Sequence, residues 1–250
     1  MLRNLKSLAG FRIAAKDGDI GEVEDFYFDD SLWNIRFIVV DTGRWLSGRK
    51  VLISPEAVFG PNWEREELGV NLTRQQVEAS PDIDTKKPVS RQQLADLSIY
   101  YGWAPLKLAY QSPPPMDAVE ATLEAEKEGK PEPHLRSMSE VLDYKVEAAD
   151  GEVGHLEDLV VDDSEWVIRY MVVDTGHWLV GHKVIISPDW SEEINWAEAA
   201  VKVNLTKEAI KGSPPYDPDK IKYRDYEEQL YKYYGKPNYW SKPKKKHKAA

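Results

Sequence analysis

The chain has 250 residues, a formal net charge of −10 and 42% apolar residues, enough to build a core, so wholesale disorder is excluded. It contains no cysteine, which excludes disulfides, thiol catalysis and cysteine metal sites, and we expect a cytoplasmic location. It has no apolar run of about 18 residues and no apolar secretory signal, so we expect no membrane span.

The predicted elements begin with closely spaced strands. A strand at residues 11–14 leads into the hairpin signal Asp17-Gly18, and a second strand at 21–28 alternates apolar and polar residues. The run at 33–41 is apolar on both faces and predicts the central strand, and shorter strands follow at 49–54 and 70–72. Short strands joined by short turns are typical of a small antiparallel barrel.

Helices are predicted only after these strands. Thr73 is a candidate cap for one short helix, and Ser90 with Gln93 forms a capping pair for a helix that ends at Gly102. Tyr226 and Leu230 repeat this helix in the second copy, where Gly235 is the predicted stop. Residues 111–135 begin with a proline run and continue with a capped, weakly amphipathic stretch. We predict a Pro-rich, partly helical linker there.

The second half repeats the first at an offset of 133 residues. Residues 17–55 and 150–188 share 24 identities in 39 ungapped positions. Two long copies predict two similar domains rather than a solenoid. The predicted fold class is mainly β with appended helices: two small antiparallel barrels from an internal duplication, at residues 1–110 and 136–240. The tail, 241–250, carries five lysines and is predicted to be disordered.

Each copy contains an Asp-Thr-Gly motif, Asp41-Thr42-Gly43 and Asp174-Thr175-Gly176. Two such motifs are also the signature of aspartic proteases, in which paired carboxylates activate a water. The following residue is bulky and cationic in both copies, Arg44 or His177, and the second copy lacks the hydrophobic-hydrophobic-Gly loop of those enzymes. We interpret both motifs as structural turns with glycine at positive φ, and keep a hydrolase using both aspartates as the alternative.

An apolar pair follows each of these turns, Trp45-Leu46 in the first copy and Trp178-Leu179 in the second. Large apolar side chains on a loop are costly to leave in water. Three interpretations stay open: a plug for the barrel of the same copy, a pseudo-twofold packing between the two units, or an anchor for another protein. These four residues are the candidate interaction site.

The sequence contains few candidate residues for binding a metal, a phosphate or a cofactor. His177 and His182 are five apart, which suits neither helical metal spacing nor one face of a strand, and His155 has no counterpart in the first copy. The acidic edge, defined here as Glu24, Asp25, Asp29 and Asp30 with their second-copy counterparts Glu157, Asp158, Asp162 and Asp163, is interpreted as solvated turns. No phosphate-binding or dinucleotide motif occurs. We therefore assign no catalytic residue, no metal and no cofactor.

The pattern Asp-Gly-x-Ile/Val-Gly, followed by Val-Val-Asp-Thr-Gly-x-Trp-Leu-x-Gly-x-Lys-Val-x-Ile-Ser-Pro, resembles the PRC-barrel family over residues 5–72 and 138–205. The final Tyr-Tyr-Gly and Pro237-Asn238-Tyr239-Trp240 are similar to the ends of bacterial tandem PRC-barrel proteins. The family includes the cytoplasmic part of the photosynthetic reaction-centre H subunit and the C-terminal domain of RimM-type factors. The resemblance implies protein-binding barrels, although this chain lacks the membrane helix of the first and the N-terminal domain of the second.

These observations favour a non-enzymatic protein-interaction or adaptor protein, whose partner the sequence does not identify. Without the lysine tail the chain carries −15, which argues against specific nucleic-acid binding, while the tail itself favours a weak contact with an acidic surface. A barrel that binds a small apolar ligand is a further alternative, and it requires an open interior cavity.

Overall fold

The computed structural model describes residues 1–81, 96–97, 99–102, 135–176, 182–195 and 198–241. The protein is mainly β with a few helices, as the sequence predicts at that level. All but the last residue of the predicted linker (residues 111–135) and all but one residue of the predicted lysine tail lie outside the described residues. No helix in the described part of the chain is long and apolar enough to cross a membrane.

The described residues form fourteen strands. They are β1 (Leu2–Asn4), β2 (Arg12–Ala15), β3 (Gly18–Asp29), β4 (Asn34–Asp41), β5 (Lys50–Ile53), β6 (Val58–Asn62), β7 (Glu67–Val70), β8 (Leu135–Ser137), β9 (Lys145–Ala148), β10 (Gly151–Asp162), β11 (Val167–Asp174), β12 (Lys183–Ile186), β13 (Ser191–Asn195) and β14 (Ala200–Val203). The α-helices are α1 (Arg74–Glu78), α2 (Met138–Val141), α3 (Lys207–Lys211) and α4 (Arg224–Tyr234). From β3 to α1, each element recurs 133 residues later.

The chain divides into two compact units. The first-half unit comprises residues 5–141 and 162–168, and the second-half unit comprises residues 1–4, 142–161 and 169–250. Each unit therefore contains most of one sequence copy together with short segments from the other.

In the first-half unit the strand order is β6-β7-β2-β3-β4-β5. The β2–β7 pair is parallel, and the neighbouring pairs are antiparallel. Because β3 is 12 residues long, one end of it pairs with β2 and the other with β8. No pairing joins β5 to β6 among the described residues, so the hydrogen-bonded sheet is open rather than closed into a barrel.

Both faces of the central strand β4 are buried, which explains its continuous apolar sequence. On one face, Phe26 of β3 lies opposite Ile38 of β4, and both side chains are fully buried. A second cluster on the other face contains Tyr27, Phe37, Val39, Leu52 and Leu97. Because alternate residues of a strand point to opposite faces, adjacent residues such as Phe37 and Ile38 enter different cores.

The second-half unit has the corresponding order β13-β14-β9-β10-β11-β12, with β1 added to β10. Helix α4 follows these strands and ends at Gly235, whose φ of 61° supplies the left-handed cap that the sequence predicts. The Tyr233 hydroxyl donates to the Ala209 carbonyl at 2.8 Å, and in the first-half unit Tyr100 donates to the Gln76 carbonyl at 2.9 Å. The first tyrosine of each Tyr-Tyr-Gly sequence therefore donates to a backbone carbonyl of the short helix α3 or α1 in the same way.

The first strand of each copy is exchanged. Strands β1 and β8 occupy equivalent places in the repeat, but β1 pairs with β10 of the second copy and β8 pairs with β3 of the first. In the register of the latter pair, Ser137 lies opposite Tyr27 and Arg136 opposite Phe28. Each sheet is thus extended by a strand whose sequence belongs to the other copy.

Candidate functional site

The Asp-Thr-Gly motif of the first copy forms a closed turn at the end of β4. Asp41 Oδ1 accepts from the Gly43 amide at 2.8 Å, and Asp41 Oδ2 accepts from Lys50 Nζ at 2.8 Å. The Thr42 hydroxyl donates to the Arg49 carbonyl at 2.7 Å. The three motif residues therefore join the two ends of the 42–49 loop, as a structural turn does.

The second copy repeats the aspartate and threonine hydrogen bonds of this turn. Asp174 Oδ1 accepts from the Gly176 amide at 2.7 Å, and the Thr175 hydroxyl donates to the His182 carbonyl at 2.7 Å. Lys183, the counterpart of Lys50, donates to Glu157 Oε1 at 2.6 Å. Gly43 and Gly176 have φ of 54° and 55°, the left-handed conformation that favours glycine in such a turn.

The second glycine of Asp-Gly-x-x-Gly lies directly against this turn. A Cβ added to Gly21 would stand 2.8 Å from the Asp41 carbonyl carbon and 2.9 Å from Thr42 Cα. Gly154 is in the same position against Asp174 and Thr175. The two separate motifs of the repeat are therefore one structural unit, in which only glycine permits the strand and the turn to approach so closely.

The electrostatics of Asp41 favour an ionised carboxylate. Its hydrogen bond with Lys50, followed by that with the Gly43 amide, lowers the pKa of Asp41 below its usual value. Lys50 also contacts Glu24 Oε2 at 2.7 Å. A protease dyad needs a carboxylate pair that shares one proton, which raises one pKa. The contacts of Asp41 are instead those of a turn residue held by a lysine.

The candidate interaction residues Trp45 and Leu46 lie on the loop that this turn closes, and both are half-buried. The loop is bonded internally, with Gly48 N donating to the Gly43 carbonyl at 2.6 Å and Arg49 N to the Leu46 carbonyl at 3.0 Å. The Arg74 guanidinium stands over the indole of Trp45, 4.6 Å from the ring centroid. Trp178 and Leu179 lie outside the described residues.

The prediction of solvated turns along the acidic edge is wrong for Asp25 and Asp158, which are 9% and 6% exposed. Asp25 accepts from the amides of Phe26 and Ser139 at 2.8 and 3.1 Å, and from the Ser139 hydroxyl at 2.8 Å. Asp158 accepts from Leu159 N and Asn4 Nδ2, both at 2.7 Å. These buried carboxylates hold the exchanged segments, because each receives donors from the segment that the other copy supplies.

Other edge residues fit the predicted turns. Asp29 Oδ1 accepts from Ser31 N and Leu32 N at 2.9 and 3.0 Å, and Asp162 Oδ1 accepts from Ser164 N at 3.1 Å. The prediction is also wrong for Asp30, whose side chain is 8% exposed and pairs with Arg136 at 3.0 Å. No group of three or more histidines and carboxylates among the described residues could hold a metal ion. His177 lies outside the described residues.

A second buried carboxylate site, missed from the sequence, lies in the second-half unit. Glu227 of α4 is 2% exposed, and its Oε1 accepts from the hydroxyls of Tyr170 and Tyr239 at 2.7 and 2.9 Å. Its Oε2 pairs with Arg224 at 2.7 Å. Burial raises the pKa of Glu227 although these donors oppose the shift. Comparing the copies provides a signal, because Phe37 occupies the position of Tyr170.

Comparisons with known proteins do not extend these observations: no protein-family model matches the chain, and no curated protein matches it.

Proposed function

We propose that the chain is a non-enzymatic protein-interaction or adaptor protein of the cytoplasm, built from two PRC-barrel-like units that arose by internal duplication. The support for duplication is the recurrence of elements 133 residues apart, together with matching turn and glycine contacts in both copies. The PRC-like barrel is proposed from the sequence resemblance. Strands β5 and β6 do not pair among the described residues, so the hydrogen bonding of the sheet does not itself support a closed barrel.

The observation that carries the proposed function is the pre-ordered loop of residues 42–49. The Asp41 carboxylate accepts a hydrogen bond at the base of this loop, the Thr42 hydroxyl donates one there, and the Gly48 amide donates one across its middle. It holds a half-buried tryptophan beneath an arginine guanidinium. A rigid aromatic side chain that needs little further ordering is well suited to anchor a protein partner.

The chemistry of the turns also supports binding rather than catalysis. The Asp41 carboxylate already accepts from an amide and a lysine, and its lowered pKa makes it a poor proton donor. We therefore place these carboxylates in the scaffold of the loop. The hydrolase and the apolar-ligand barrel stay alternatives without a specific observation in their favour.

The test is affinity capture from the native cell with the intact chain as bait, at moderate salt. We expect the Trp45→Ala/Trp178→Ala variant to lose a specific partner that the natural chain retains. Phe59→Ala is the matched control, because Phe59 is a more exposed aromatic residue, 74% accessible, outside the loop. Equal capture by all three baits, with unchanged thermal stability, would refute the assignment of the loops as anchors.

A further inference from the structure

The last described residues of the chain form a short turn that we call the C-terminal strap, residues 238–241. Helix α4 ends before it at Gly235, and Pro237 separates the helix from the strap. The strap is closed on itself, because Ser241 N donates to Asn238 Oδ1 at 3.1 Å and the Ser241 hydroxyl donates to the Asn238 carbonyl at 3.0 Å. Its two aromatic side chains contact the second-half unit.

The Tyr239 side chain uses both polar functions of its hydroxyl in this contact. The hydroxyl donates to Glu227 Oε1 at 2.9 Å and accepts from Arg224 Nη1 at 3.1 Å. The guanidinium of Arg169, on β11, stands over the ring, 4.2 Å from its centroid. The hydroxyl therefore reaches a carboxylate that is almost completely buried, while a cation covers one face of the ring.

The neighbouring Trp240 is held by a second guanidinium. Arg224 stands over the indole, 4.2 Å from the ring centroid, and Glu227 Oε2 holds Arg224 at 2.7 Å. Tyr231, which is 4% exposed, packs edge-on against the indole at 5.2 Å between centroids. We call Arg169, Arg224, Glu227 and Tyr231 the aromatic socket, since together they receive both rings of the strap.

Side chains alone hold the strap in this socket. Within the described part of the chain, no backbone–backbone hydrogen bond joins residues 237–241 to the rest of the unit, and the last such bond runs from Lys236 N to the Tyr231 carbonyl at 3.2 Å. Tyr239 and Trp240 are both only half-buried. A surface segment that inserts side chains into a preformed pocket is bound in the way that short peptides are recognised.

We propose that the aromatic socket is a binding site for a partner segment in which a tyrosine is followed by a tryptophan, and that the C-terminal strap fills it in cis. The strap displays the chemistry that the socket selects: a phenol that both donates and accepts, and an indole face for a guanidinium. A partner binds when its own aromatic pair replaces the strap. The socket does not include the 42–49 loop, so the outcome of the test below does not bear on the proposed loop anchors.

The test uses the full chain carrying Tyr239→Ala/Trp240→Ala, labelled with ¹⁵N, and the capped peptide Lys-Pro-Asn-Tyr-Trp-Ser as the probe. We expect saturable shifts of the amides near Arg169, Arg224 and Glu227. The natural chain should bind the peptide at least about tenfold more weakly, because its own strap competes at a high effective concentration. No saturable binding by the folded variant, or equal affinity for both chains, would overturn the proposal.

A matched peptide and a matched variant test the specificity of the socket. The peptide with phenylalanine in place of tyrosine lacks the hydroxyl, so it should bind the double variant about tenfold more weakly. Tyr223→Ala is the control variant, because Tyr223 is 65% exposed and precedes α4, and it should leave the socket blocked. If the two peptides bound equally well, the socket would not recognise the phenol and the proposal would fail.

Tyr239→Phe in the full chain tests the same site without emptying the socket. This substitution keeps the ring but removes the strap's hydrogen bonds to Glu227 and Arg224, so the tyrosine peptide should bind about tenfold more tightly than to the natural chain. An unchanged affinity would contradict the competition. A dimer of the natural chain that Trp240→Ala abolishes would assign the socket to the strap of a second copy and overturn the partner proposed here.

Discussion

Replacing Gly21 by alanine should disrupt the contact between β3 and the Asp-Thr-Gly turn. Gly21 has φ of 147°, where a residue with a Cβ is strained by about 1–3 kcal/mol. The new methyl group also stands 2.8–2.9 Å from backbone atoms of Asp41 and Thr42, and overpacking of this kind costs about 1–3 kcal/mol. Because the obstructing atoms are backbone, they cannot turn away, so we expect the two costs to add to a loss of about 2–6 kcal/mol.

Gly43→Ala is the matched control in the same turn. Gly43 has φ of 54°, and no atom lies within 4 Å of its added Cβ, so only the left-handed backbone cost of about 1–2 kcal/mol applies. Reduced unfolded-state entropy offsets part of that cost. Both substitutions therefore replace a glycine at positive φ by alanine, but only the methyl group at position 21 collides with backbone atoms.

The assay is urea unfolding followed by tryptophan fluorescence, with stability taken from the midpoint at constant m value. Because the chain forms two units, amide exchange in β3 and β4 reports the first-half unit by itself. Gly21→Ala should accelerate exchange there far more than Gly43→Ala. Equal losses for the two variants would refute the close-approach explanation of the repeated glycine.

Three further substitutions test buried and paired carboxylates. Asp41→Asn should cost up to about 1 kcal/mol at neutral pH. Because the folded pKa of Asp41 is lowered, this difference in unfolding free energy should begin to shrink as the pH falls through the ordinary aspartate value of about 4 and should vanish below the folded pKa. Glu227 has a raised folded pKa, so unfolding free energy should fall as the pH rises through that value, and Glu227→Gln should remove the dependence. Asp25→Ala should cost about 3 kcal/mol because it leaves buried donors unpaired, and faster amide exchange at Ser139 should report the release of the exchanged segment.

Local elements are well predicted by the sequence because their signals are local. The turn at Asp17-Gly18, the cap at Thr73 and the stop at Gly235 are all found in the structure. The burial of both faces of β4 is likewise predicted by its apolar run. Each of these features depends on residues that are neighbours in the chain, so no knowledge of tertiary packing is needed.

The exchange of β1 and β8 could not be predicted in this way. Both strands begin with Leu-Arg followed by a small polar residue, so either one has the local properties to extend either sheet. The choice is made by contacts far apart in sequence, such as Ser139 with Asp25 and Asn4 with Asp158. A repeat identifies which segments resemble each other, but it does not identify the copy on which each segment packs.

The two copies have the same order of strands but differ in the core around Glu227. In the first-half unit, Phe37 belongs to an apolar cluster with Val39 and Leu52. At the equivalent place in the second-half unit, Tyr170 donates to a buried carboxylate that Tyr239 also contacts. A buried ionic network is seldom retained for stability, since its desolvation offsets the attraction, but it fixes geometry. The C-terminal segment around Tyr239 is therefore positioned by a specific polar contact. The first copy has Phe37 and Leu94 at the positions of Tyr170 and Glu227, and neither side chain can form this contact, so the two copies should not substitute for one another in binding.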